Sequence, residues 1–198
     1  MLEYTSLILK YNYRKTIYLE GDRVRVEYEI ENYGDEEFSC IWAMHCLVRC
    51  EDDMELIFPK DTKQVLNVYE SNLLGKVGQV YPYPITIGQN GETVNLNKVY
   101  SKDANKCEKY YVNGRVNEGY CGAFYPSKNV AYNVYFDKEK LPYLGLWVTE
   151  GGFRGDYNCA LEPTNGYYDR IDIANKEDGL FVLKPKEKLN FKIQIELK

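Results

Sequence analysis

The sequence predicts an all-β protein, an antiparallel β-sandwich in one domain over residues 1–198. Three observations carry that reading. Many short segments alternate apolar and polar residues with the period of a half-buried strand. Turn residues (Gly, Pro, Asn and Asp) separate those segments, and no long helical periodicity appears. Aromatic residues make up 15% of the chain, with 20 tyrosines, which favours strands and wet, aromatic-lined surfaces. The net charge of -5 and a pI near 5.1 argue against nucleic acid or an anionic membrane as the main partner. No apolar run is long enough to span a bilayer, and the start, MLEYTSLILKYNYRK, does not read as a signal peptide. The expected location is cytoplasmic.

In chain order, Leu7 to Leu19 reads as a strand pair or one long bent strand that breaks near Asn12. Glu20-Gly21-Asp22 turns. Arg23 to Glu31 alternates cleanly, with Val24, Val26, Tyr28 and Ile30 inward and charges outward, able to pair across strands. After the turn at Asn32 to Asp35, Phe38 to Arg49 reads as one strand. Trp42, Met44 and Cys46 share one face, and Ala43, His45 and Leu47 the other. Met54 to Phe58 and Gln64 to Tyr69 are short strands. Glu70 to Gly119 reads as a long excursion of few short elements, placed to cover part of a binding groove; Asn105 to Tyr111 is a helical turn or a strand. Val130 to Phe136, Tyr143 to Glu150 and Tyr157 to Glu162 follow as strands, the last ended by Pro163. Arg170 to Ala174 and Leu180 to Leu183 are short strands, and Leu189 to Leu197 closes the core.

The run Tyr143 to Tyr168 holds the candidate chemistry. Its two strands present Trp147, Asn158 and Glu162, an aromatic, an amide and a carboxylate suited to sugar hydroxyls, with Arg154 and Asp156 in the intervening loop. From these residues alone, a core tryptophan, a surface carboxylate and a solvated turn pair is the favoured reading. His45 is the one histidine, and histidine is the side chain whose unperturbed pKa lies near neutrality. A lone histidine is more often a packing residue. The six cysteines fit reduced thiols. Cys46 and Cys50 on one strand would lie about 13 Å apart, beyond disulfide reach. Without CxxC and with one histidine, no metal site is expected.

Four segments resemble the galactose mutarotase-like (aldose 1-epimerase-like) superfamily. They are IWAMHCLV followed by an Asp-Asp turn and LIFP, FDKEKLPYLGLWVTEGG, YNCALEPTNGYYD, and the closing LKPKEKLNFKIQIEL. The resemblance covers most of Leu7 to Lys198. It implies the supersandwich fold, sugars bound on a concave face, and cofactor-free interconversion of α and β anomers. Glu162 matches the base that takes the anomeric hydroxyl proton, and His45 the acid that protonates the ring oxygen. Trp147, Arg154 and Asn158 match sugar contacts. The implied ligand is a small carbohydrate. The chain departs from the family in lacking an N-terminal part that supplies early strands, an arginine and a second histidine. A truncated member, a shortened sandwich whose exposed edges a homodimer covers, and a fragment needing a partner chain all fit. The alternative function is a non-catalytic carbohydrate-binding protein on the same scaffold. A His45–Glu162 separation that admits a pyranose ring favours catalysis.

Overall fold

The computed structural model describes every residue from Met1 to Lys198. Strands β1 (Leu2–Ser6), β2 (Tyr11–Glu20) and β3 (Arg23–Asn32) open the chain. Short strands follow: β4 (Phe38–Cys40), β5 (Val48–Arg49), β6 (Glu55–Ile57), β7 (Gln64–Asn67), β8 (Val80–Pro82), β9 (Ile85–Ile87) and β10 (Thr93–Asn95). Longer ones succeed them: β11 (Lys106–Val112), β12 (Tyr120–Tyr125), β13 (Val130–Phe136), β14 (Tyr143–Glu150) and β15 (Tyr157–Thr164). The chain ends with helix α1 (Ile171–Lys176), β16 (Phe181–Leu183) and β17 (Lys188–Leu197). No helix is long and apolar enough to cross a membrane.

Two antiparallel sheets carry the architecture. One has seven strands in the order β1-β2-β3-β17-β13-β12-β6; the other has six, β5-β15-β14-β11-β7-β8. Alternation decides what lies between them. Val26, Tyr28 and Ile30 of β3, Phe191 and Ile193 of β17, and Tyr132 and Val134 of β13 meet Leu144, Leu146, Leu161, Tyr110 and Val112 of the other sheet. Leu144, Leu146 and Ile193 are fully buried, and each such side chain contributes about 2 kcal/mol by leaving water. The opposite face of β3 is charged, as the alternation requires: Arg14 reaches Glu29, and Arg23 reaches Glu196 at 2.8 Å. Strand β1 is the free edge of the larger sheet, with Leu2 and Tyr4 exposed.

Four sequence expectations change, and one open alternative, at residues 105–111, is decided for the strand. The first break falls at residues 7–10, where Lys10 takes a left-handed turn conformation, and not near Asn12. Phe38 to Arg49 is not one strand. β4 pairs with β16 and β5 with β15, while residues 41–47 run extended between them with a single bridge, Ala43 to Thr164. Pro163 explains the missing ladder. Its carbonyl accepts from the Met44 N–H, but it has no N–H to return. The same geometry lets β15 continue past Pro163, because the absent donor faces this irregular segment and not β14. Residues 106–112 form a central strand, β11, paired on one side with β14 and on the other with β7. Arg170 to Ala174 is not a strand: residues 171–176 are helical, with Ala174 fully buried. Three residues of Ile-Asp-Ile are too short a pattern to separate the two periods.

Candidate functional site

The outer face of the six-stranded sheet gathers the chemistry. Residues directly opposite one another in an antiparallel pair share a face. Glu162 lies opposite Gly145, and Gly145 opposite Tyr111; Ala160 lies opposite Trp147, and Trp147 opposite Lys109. Glu162, Tyr111, Trp147 and Lys109 therefore project from one face across three strands. Gly145 is required there. A methyl group at Gly145 would stand 3.1 Å from the Tyr111 ring and 3.4 Å from Glu162 Oε2, so glycine leaves room for both.

Glu162 is only 2% exposed and is held from two sides. His45 Nδ1 lies 2.8 Å from Oε1. Lys109 Nζ lies 3.6 Å from Oε2 and 2.7 Å from Asp169 Oδ1. Oε2 itself is buried without a hydrogen-bond partner. Burial pushes the Glu162 carboxyl above its ordinary value, and the positive charge of Lys109, then the His45 imidazole, pull it back down. The result is a carboxylate more basic than a surface one. The His45 side chain is 63% exposed and comes from the extended segment 41–47, which Asn165, the residue after β15, positions by accepting from the Trp42 N–H at 2.6 Å through its Oδ1.

Aromatic rings frame the cluster. Trp147 stands edge-on to Tyr69 and to Phe153, with Lys109 Nζ 6.0 Å from its ring centre. On the other flank, Tyr167 stacks on Tyr143 and meets Tyr111 edge-on.

The structure thus brings together His45, Glu162 and Trp147. Arg154 and Asn158 stand apart from Glu162. Arg154 lies in the exposed β14–β15 turn over the Phe153 ring, and Asn158 is four residues, about 13 Å, along β15. His45 and Glu162 touch directly, so no pyranose ring fits between them in this conformation. Lys109 and Asp169 are the functional candidates that the sequence reading missed. The signal was available in KCEKYYV: read as a strand, it puts Lys109 and Tyr111 on one face. No cluster of three or more His, Cys, Asp or Glu side chains is placed to hold a metal ion.

No family model and no curated protein matches the chain by sequence. Solved structures do match by shape. A protein from Synechocystis superposes on all of this chain and 60% of its own, with TM-score 0.71 and 20% identity. A candidate aldose 1-epimerase from Klebsiella pneumoniae matches 99% of this chain and 49% of its own, with TM-score 0.71 and 13% identity. A galactose mutarotase related enzyme from Lactobacillus acidophilus matches all of this chain and 66% of its own, with TM-score 0.64 and 15% identity. The chain has the galactose mutarotase-like fold. It spans about half to two thirds of the length of these structures.

Proposed function

We propose that this chain binds an aldose and interconverts its anomers by cofactor-free acid/base catalysis, with Glu162 as base and His45 as acid. The observation that carries the reading is the His45–Glu162 contact on a sheet face shared with Trp147. Glu162 takes the proton from the anomeric hydroxyl, and protonated His45 delivers one to the ring oxygen. The C1–O5 bond breaks, leaving the open-chain aldehyde. Rotation about C1–C2 and reversal of both transfers give the other anomer, so atoms and charge balance.

Three features support the roles. Glu162 Oε1, which His45 contacts, becomes the acceptor for a substrate hydroxyl when the imidazole moves away. The rise in Glu162 basicity brings the base closer to working pH. The Lys109 charge stabilises the carboxylate without competing as an acceptor. The direct contact is the resting arrangement. A hydrogen bond to a charged group contributes about 2 kcal/mol net, within what a bound sugar supplies, and the exposed imidazole has room to swing outward. The ring then lies between the two groups, as the chemistry requires.

The closed contact and the burial of Glu162 also favour a second reading, sugar binding without turnover on the Trp147 face. Polarimetry separates them. The purified chain is expected to speed equilibration of freshly dissolved aldoses, and Glu162→Gln to remove the gain. Saccharide binding by calorimetry with no acceleration by the wild-type chain, and a larger loss from Trp147→Ala than from Glu162→Gln, establishes the second reading instead.

A further inference from the structure

The excursion after β7 does not lie idle against the sheet. β7 covers only the second half of β11, pairing with Tyr110 to Val112. Beside the first half, residues 69–73 bow outward and enclose an open cavity of about 440 Å³, within the range of small-molecule sites. Its walls include Tyr69, Glu70, Ser71, Asn72, Lys106 and Glu108. Strand alternation turns backbone groups into it as well. The Lys109 carbonyl accepts from Val68, on the β7 side, so the Cys107 N–H and carbonyl point to that same side, where no strand pairs with them.

The lining selects the ligand chemistry. Glu108 is 5% exposed, and Ser71 Oγ, 2.6 Å away, donates to its Oε2. Burial, with Glu150 nearby, pushes the Glu108 carboxyl up to about 7, against the Ser71 hydrogen bond and Lys106, which lower it. Near neutrality it both accepts and donates hydrogen bonds. Two carboxylates against one lysine make the lining unfit for phosphate. An amide, a hydroxyl, an unpaired strand edge and an aromatic ring suit the hydroxyls and apolar faces of a sugar. The cavity also joins the Glu162 face: Tyr69, in its wall, contacts Trp147, which neighbours Lys109.

We infer that this cavity is a second saccharide subsite, and that the chain takes an oligosaccharide whose reducing-end ring lies at Glu162 and whose further units pass Trp147 into the cavity at Ser71, Asn72 and Glu108. The inference rests on the reading of Glu162 as the site of anomer chemistry. From Tyr111, beside Glu162, to Cys107 is about 13 Å along β11, a span that takes more than one ring.

Calorimetric titration with α-1,4 and β-1,4 gluco- and galacto-oligosaccharides of one to four units tests it. Affinity in at least one series is expected to rise about tenfold from one unit to three. Asn72→Trp, at an exposed wall position, fills the cavity and is expected to return the trisaccharide to the monosaccharide value. Glu108→Gln, close in shape, is expected to shrink the same ratio. Equal affinity for one and three units in every series overturns the inference, as does a gain that survives Asn72→Trp. Binding at equilibrium needs no turnover. A length gain without anomer exchange therefore rejects the catalytic reading and keeps the subsite, and anomer exchange without a length gain does the reverse.

Discussion

Glu162 and Glu108 are both carboxylates on strands of the six-stranded sheet, and both are almost wholly buried, at 2% and 5% exposure. Their surroundings differ in kind. Glu162 projects from the outer face, between the Lys109 ammonium and the His45 imidazole, and its charge has partners. Glu108 projects to the inner side near the end of the sheet, with a neutral hydroxyl as its closest partner and Glu150 as a like-charged neighbour. Burial raises both, and only the first is pulled back by two cationic partners. One environment holds a base ready to take a proton; the other favours a carboxyl that exchanges hydrogen bonds with hydroxyls. Sequence position alone does not distinguish them. The strand face and the charge opposite do.

Breaking the pairing at Glu162 should have the largest effect. Lys109→Met leaves the buried Glu162 carboxylate without its lysine, and it is expected to destabilise the fold by about 3 kcal/mol in urea denaturation. Asp169→Asn removes a partner that is 43% exposed and should cost about 1 kcal/mol or less. Equal effects of the two would mean that Lys109 serves Asp169 and not Glu162.

The Glu108 side of the comparison shows in pH dependence. Its folded value lies near 7 against an ordinary 4.5, so the folded state holds the proton more tightly than the unfolded one. The associated stability is fully present below pH about 4.5 and is lost as pH rises through about 7, a change of about 3 kcal/mol. Glu108→Gln should therefore gain stability relative to wild type as pH increases across that window. A difference between the two proteins that stays flat from pH 4 to 8 would remove the proposed contrast.

Much of this arrangement was legible in the residues. The alternation of LGLWV and YNCALE placed Trp147 and Glu162 on one face of a hairpin, and the structure keeps that register. The approach of His45 to Glu162, 117 residues away, had no local signature and rested on the family resemblance. The segment carrying it alternates like a strand, yet Pro163 withholds the hydrogen bonds that would make it one. Lys109 was hidden for a different reason. A lysine in KCEKYYV reads as solvated, but both faces of β11 are covered, and a buried lysine is tolerable only because Glu162 and Asp169 stand beside it. The cavity beside β11 depends on where β7 stops pairing, which no periodicity encodes.

The most direct measurement is exchange NMR between the α and β anomer signals of an aldose at equilibrium, with wild-type protein, Glu162→Gln and His45→Asn at matched concentration. The expected result is exchange accelerated by the wild-type chain and reduced to the buffer rate by either substitution, with each variant still folded by its amide spectrum. Exchange at the buffer rate with the wild-type chain, or unchanged acceleration in both variants, would contradict the role assigned to this pair.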